Sequence, residues 1–133
     1  GGCTAGPAAA LENMRIIEDE NLLQNTLNMG DRMMNNLLAL KDKHKVIGDV
    51  RGKGLFLGTE LVTGRTTKEP VSEKLVGAVA GECNAQGVII GTTNRSIPGF
   101  NNTLCFAPAL IATADDIDQI SDAVDKALTK VFG

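Results

Sequence analysis

Val46-Ile-Gly-Asp-Val-Arg-Gly-Lys-Gly-Leu-Phe-Leu-Gly-Thr-Glu-Leu-Val62 is the stretch from which the architecture is read. Branched and apolar residues alternate with polar or small ones around Val46–Val50 and again over Leu55–Val62, the period of a half-buried strand. Gly52 and Gly54 stand between the two runs, where glycine inside a strand pattern marks a bend or a bulge. The stretch therefore predicts two strands, with Arg51 and Glu60 facing each other across the hairpin region as a structural ion pair. A phosphate-binding reading of the glycines fails on spacing. A Walker loop needs Gly-x-x-x-x-Gly-Lys, and the residue five before Gly52 is Ile47. A dinucleotide fingerprint needs a glycine three residues after Gly54, where Leu57 stands, and both motifs need a helix where a strand pattern follows.

Upstream the period is helical. Pro7 suits a first turn and the alanines behind it are strong helix formers, so a helix is expected over 7–18 with Leu11, Met14 and Ile17 or Glu18 on one stripe. The acidic run Glu18-Asp19-Glu20 breaks that pattern and leads into a second helix, which bears carboxylates well in its first turn. Its expected stripe is Leu23, Leu27, Gly30, Met34 and Leu37, running to about Lys43. The methionines there read as core or interface filler. Lys41-Asp-Lys-His-Lys45, with the single histidine, reads as a solvated helix end.

Downstream, 64–70 is a polar loop. A third helix follows with Leu75, Val76, Val79 and Cys83 inward and Gly87 as its stop. Val88–Ile90 is a short buried strand. A run of turn formers over 91–102 leads to Thr103–Ala107, which should pair with it. Thr113-Ala-Asp-Asp116 has the form of a capping box with Asp in the Glu position. Behind it Ile117, Ile120, Val124, Ala127 or Leu128, and Val131 keep helical spacing. The order α, α, β, β, α, β, β, α predicts one α+β domain over residues 1–133, a small, largely antiparallel sheet with helices layered on one face. Ile117, Ile120, Val124 and Leu128 should pack on the face bearing alternate residues of 55–62.

Composition removes several functions. The chain has 133 residues, is 43% hydrophobic and 22% charged, and carries a formal net charge of -3 with no Trp, no Tyr and four Phe. It offers neither the positive field nor the stacking rings that nucleic acids select. No run approaches the ~20 apolar residues of a membrane span. Cys3, Cys83 and Cys105 are odd in number and far apart, which favours a reducing cytoplasm over a disulfide framework. No metal site is expected: the lone His44 lacks partners, and Asp115, Asp116 and Asp118 suit a helix first turn. No Ser-His-Asp or Cys-His set can be assembled around one histidine. The chain opens on Gly1-Gly2-Cys3 without Met, as a fragment of a longer protein would. Read by periodicity alone, the residues name no reaction.

Several segments taken together carry a resemblance. Ala9-Ala-Leu-Glu-Asn-Met-Arg-Ile-Ile-Glu-Asp-Glu-Asn-Leu22, Gly48-Asp-Val-Arg-Gly-Lys-Gly-Leu55, Thr59-Glu-Leu61, Gly87-Val-Ile89 and Leu104-Cys-Phe-Ala-Pro-Ala-Leu110 occur in this order. They resemble the C-terminal part of class III aminotransferases, pyridoxal-phosphate enzymes of fold type I. The likeness spans nearly the whole chain and looks closest to the ω-amino-acid:pyruvate branch, with its taurine- and amine-using members. The resemblance implies transfer of an amino group from an amine or ω-amino acid to a keto acid such as pyruvate, in a cytoplasmic homodimer, with this segment as the small domain that closes over the substrate. It implies that no catalytic residue lies in this chain, the cofactor-bearing lysine being upstream. Two positions carry over. Thr4, in Thr4-Ala-Gly-Pro7, matches the threonine that contacts the phosphate of pyridoxal phosphate in the other subunit. Arg95 lies in the loop where the family often places an arginine for the substrate carboxylate. The fragment alone is expected to be inactive, Lys53 being the one lysine worth testing as a cofactor anchor. A rival reading is a non-catalytic α+β ligand-binding or regulatory module that uses the 91–102 loop as a lid.

Overall fold

The computed structural model describes residues 2–95 and 97–133. Strand β1 (Ile47–Lys53) and strand β2 (Phe56–Leu61) form the hairpin at its centre. They pair antiparallel from Ile47↔Leu61 to Lys53↔Phe56, with a bulge between Ile47 and Asp49. Gly52 and Gly54 have φ of +147° and +55°, conformations that side chains with a Cβ rarely adopt, so the turn depends on both. Strand β4 (Thr103–Phe106) adds antiparallel to β2, and the short β3 (Gly91–Thr92) adds antiparallel to β4. The sheet order is β1-β2-β4-β3. Val50, Thr59 and Leu104 lie in one cross-strand row and all are buried. Arg51, Gly58 and Cys105 occupy the next row, which points to the opposite face.

Helix α1 (Ala5–Asp19) leads into α2 (Leu22–Lys43) through Asn21, held left-handed at φ +51°. Helix α2 packs on β1, while α3 (Glu73–Ala85) packs on the β3–β4 side. Helix α4 (Ala114–Phe132) contacts both α2 and α3. Its buried residues Ile117, Val124 and Leu128 join Leu57, Leu61 and Leu104 of the sheet in one apolar cluster. The α+β layering follows the expectation from sequence, while the last helix has its main contacts with α2 and α3 and meets the sheet residues within the shared apolar cluster. The Thr113–Asp116 capping box is formed, with Asp116 N–H donating to Thr113 Oγ1 at 3.2 Å and Thr113 N–H donating to Asp116 at 2.8 Å. Arg51 bonds Glu60 at 2.7 Å across the hairpin, and Asp49 at 2.9 Å.

Five expectations are corrected. The buried stripe of α2 is Leu22, Gly30, Met33 and Leu37; Leu23 and Leu27 are 70% and 49% exposed. This helix has apolar residues on two faces, and the close seat of Gly30 on the hairpin turn decides which one faces inward. The strand expected at 88–90 begins at Gly91 instead. Gly87, at φ +83°, closes α3 with Gly87 N–H donating to Asn84 O at 2.9 Å and Val88 N–H to Cys83 O at 3.0 Å, a Schellman stop that ties Val88 to the helix. His44 does cap the end of α2, but it is not solvated. Its side chain is 11% exposed and its Nε2 lies 2.5 Å from Asp125 of α4. Leu75, expected inward, is exposed at the surface of α3, and Leu11 and Met14 are exposed on α1.

Candidate functional site

The segment between β3 and β4 holds the candidate substrate residue, and its base is built from hydrogen bonds to the sheet. Thr93 N–H donates to Thr103 O at 3.0 Å, and Thr103 N–H donates to Thr93 Oγ1 at 3.2 Å. Asn102, buried, donates from Nδ2 to Leu61 O at 2.7 Å, while Leu61 N–H donates to Asn102 O at 2.8 Å. A buried amide must be satisfied or it costs stability, and here that requirement sets the register between the segment and β2.

A second anchor comes from α3. Glu73, in its first turn, accepts the Gly99 N–H at 3.0 Å and the Asn101 Nδ2–H at 2.9 Å, both on Oε1. The Gly99 amide, followed by the Asn101 side chain, holds the Glu73 carboxyl below its ordinary range. Gly99 sits at φ +87°, so the turn that presents its N–H is one that glycine takes without strain. Outside these anchors Arg95, Ile97 and Phe100 are exposed. Arg95 forms no salt bridge with another described residue. The segment thus exposes a cation and two apolar side chains, while Asn101 and Asn102 are buried against the fold. Such an edge can receive an anionic group that brings its own apolar stem.

Thr4 lies at the opposite end of the sequence, as N-cap of α1. Its side chain makes no capping bond to its own helix and is exposed. The N–H groups of Gly6 and Ala5 instead pull the exposed Cys3 thiol below its ordinary pKa. The N-terminus of α1 is thus favourable to negative charge, as free helix N–H groups and the macrodipole dictate. Thr4 caps α1, whereas Arg95 lies in the segment between β3 and β4.

Of the lysines, Lys41 is half-buried and the others, Lys53 included, are exposed. No group of three or more His, Cys, Asp or Glu is placed to hold a metal among the described residues. No helix of the described residues is long and apolar enough to cross a membrane. Sequence reasoning missed Glu73, Asn101 and Asn102. The adjacent asparagines at the mouth of a strand were the available signal, since such residues seldom become buried without a structural partner.

The family model described as "Aminotransferase class-III" matches residues 2–128. A hypotaurine/taurine–pyruvate aminotransferase of Paracoccus denitrificans is 72% identical over 99% of this chain and 29% of its own length. A taurine–pyruvate aminotransferase of Rhodobacter capsulatus is 63% identical over 98% of the chain and 28% of its own length. The crystal structure of a Bacillus anthracis aminotransferase superposes with a TM-score of 0.88 at 36% identity, over 91% of this chain and 27% of that one. The chain therefore spans less than a third of the curated relatives it matches.

Proposed function

The chain belongs to the class III aminotransferases, and from that premise we propose that it is the C-terminal small domain of an enzyme moving an amino group from taurine, hypotaurine or a related ω-amino acid to pyruvate. The observation that carries the donor class is the 72% identity to a hypotaurine/taurine–pyruvate enzyme, sustained over 99% of this chain. Family membership also displaces the reading of a stand-alone ligand-binding module. The donor would bring an amine at one end and a sulfonate, sulfinate or carboxylate at the other. Arg95 would hold the acidic end, because its planar guanidinium offers paired donors to such oxygens.

Pyridoxal phosphate, which the family uses, supplies the aldehyde on which the amino group is carried. The residues of this chain fit its phosphate end. Thr4 has a hydroxyl not engaged by its helix, next to N–H groups that already polarise Cys3. In this reading Thr4 binds the phosphate of the cofactor in the other subunit of a homodimer, and the lysine that anchors the cofactor lies upstream. A cytoplasmic location fits the three unpaired cysteines.

The test is to join this chain to its upstream sequence, purify the enzyme, and follow alanine formation from pyruvate with taurine or hypotaurine as donor. Alanine formed with either donor supports the proposal. Activity confined to donors without an acidic group would refute the donor class. In the same enzyme Thr4→Val should weaken pyridoxal-phosphate retention on dialysis, and retention equal to the parent would remove Thr4 from the phosphate site.

A further inference from the structure

We propose that Glu73 is a positioning residue for the donor's acidic group: from the first turn of α3 it holds the 99–101 turn, and through that turn sets where Arg95 stands. The proposal rests on the reading of Arg95 given above. Three observations lead to it. Glu73 Oε1 receives both a backbone and a side-chain donor from the 99–101 turn, Gly99 at 3.0 Å and Asn101 at 2.9 Å. An acidic residue serving only the helix dipole gains its favourable field without reaching another element, yet this one spans to a segment far along the chain. The other end of the segment is registered separately, by Asn102 on Leu61. The stretch that carries Arg95 is thus pinned to the fold on its C-terminal side by two independent polar anchors.

The clamp also affects charge. Glu73 and Arg95 have opposite signs, and a carboxylate without partners of its own would attract the guanidinium that the donor needs. Here the carboxylate is occupied by neutral donors, and no salt bridge joins it to any described residue. Arg95 is left to the donor's acidic group. Glu73 itself touches neither substrate nor cofactor in this scheme.

The experiment uses the full-length enzyme with Glu73→Ala, Glu73→Asp and Glu73→Gln, and compares taurine with n-propylamine, which has no acidic group. Losing charge-assisted bonds that order a binding segment should raise KM for taurine about tenfold, with kcat within about twofold and n-propylamine unaffected. Glu73→Gln keeps an acceptor oxygen and should return most of the loss. Glu73→Asp keeps the negative charge at the helix N-terminus but is one methylene short of the turn, so it should behave like Glu73→Ala. Hydrogen exchange at the Gly99 amide should quicken in the Ala and Asp variants alone. Equal KM changes for both donors, a loss confined to kcat, or a Glu73→Asp enzyme with parental KM would each overturn the proposal. Arg95→Ala, measured alongside, separates the two levels. If it raises KM for taurine selectively and Glu73→Ala does not, only the positioning role fails; if it treats both donors alike, the Arg95 reading fails as well.

Discussion

Gly30 of α2 sits directly on Gly54 of the hairpin turn: a Cβ built at position 30 would lie 2.6 Å from the Gly54 Cα. The obstacle is backbone and cannot rotate away. Gly30→Ala should therefore push the helix off the turn and destabilise the chain by about 1–3 kcal/mol or more, as overpacking does. Gly54→Ala meets only the Thr26 methyl at 2.9 Å but must hold φ at +55°, for about 1–2 kcal/mol. Urea midpoints of the two variants check this. A Gly30→Ala protein as stable as the parent would mean that α2 does not seat on the turn.

Leu128 is fully buried in α4 among sheet and helix side chains. Leu128→Ala should cost about 2–5 kcal/mol. Leu11→Ala, on the exposed face of α1, should stay within about 0.5 kcal/mol in the isolated chain. Comparable losses at the two positions would place α1 in the core.

Thr59 lies in the buried row between Val50 and Leu104, and its hydroxyl has no hydrogen-bond partner among the described residues. Thr59→Val keeps the branched shape that suits a strand and removes the unsatisfied oxygen, so a gain of about 1 kcal/mol is expected. Thermal unfolding measures it. A clear loss would show that the hydroxyl is bonded in solution.

What could be read beforehand divides along physical lines. The hairpin glycines, the Gly87 stop, the Thr113 capping box and the Arg51–Glu60 pair were legible because each is a local rule acting within a few residues or across one tight turn. The inward face of α2 was not, since Leu23 and Leu27 satisfy helical spacing as well as Leu22 and Met33 do. Only a partner from the sheet chooses between them. The His44–Asp125 pair was hidden for the same reason, its members belonging to α2 and α4. Arg65 gave no signal either: its guanidinium donates to Ile47 O, His44 O and Lys41 O, closing the end of α2 from a loop that reads only as polar. At the candidate site the resemblance pointed to Arg95, while the anchors Glu73 and Asn102 came from contacts between elements distant in the chain.

Arg95→Ala in the full-length enzyme should raise KM for acid-bearing donors about tenfold or more while leaving simple amines near the parent value, because a charge-assisted paired contact is lost only for the former. Arg95→Lys should recover little, as a point charge cannot reproduce the planar fork. Equal effects on both donor classes would assign Arg95 to the loop's own folding.

The thiols should separate by pH. Burial, with Glu82 nearby, raises Cys83 from its ordinary 9.0 to about 11, while the α1 amides lower exposed Cys3. At pH 8 iodoacetamide should label Cys3 first and leave Cys83 intact until the chain unfolds. Because the folded pKa of Cys83 is the higher one, its contribution to stability is complete below pH 9 and is lost as pH rises from 9 toward 11. Mass spectrometry of the labelled peptides checks the order, and early labelling of Cys83 would contradict its burial.

The sheet order carries a consequence for how the chain acquires its shape. The β1–β2 hairpin joins neighbours in sequence and can form as a local event, whereas β4 reaches its place beside β2 only after α3 and the Arg95 segment have been laid down between them. Closing that span is an entropic barrier that the hairpin does not share. A kinetic hierarchy follows, in which β4 and the segment it anchors consolidate late. Pulsed hydrogen exchange during refolding should protect the Arg51 amide, paired with Gly58 in the hairpin, before Leu104; simultaneous protection would mean that the two halves of the sheet condense together.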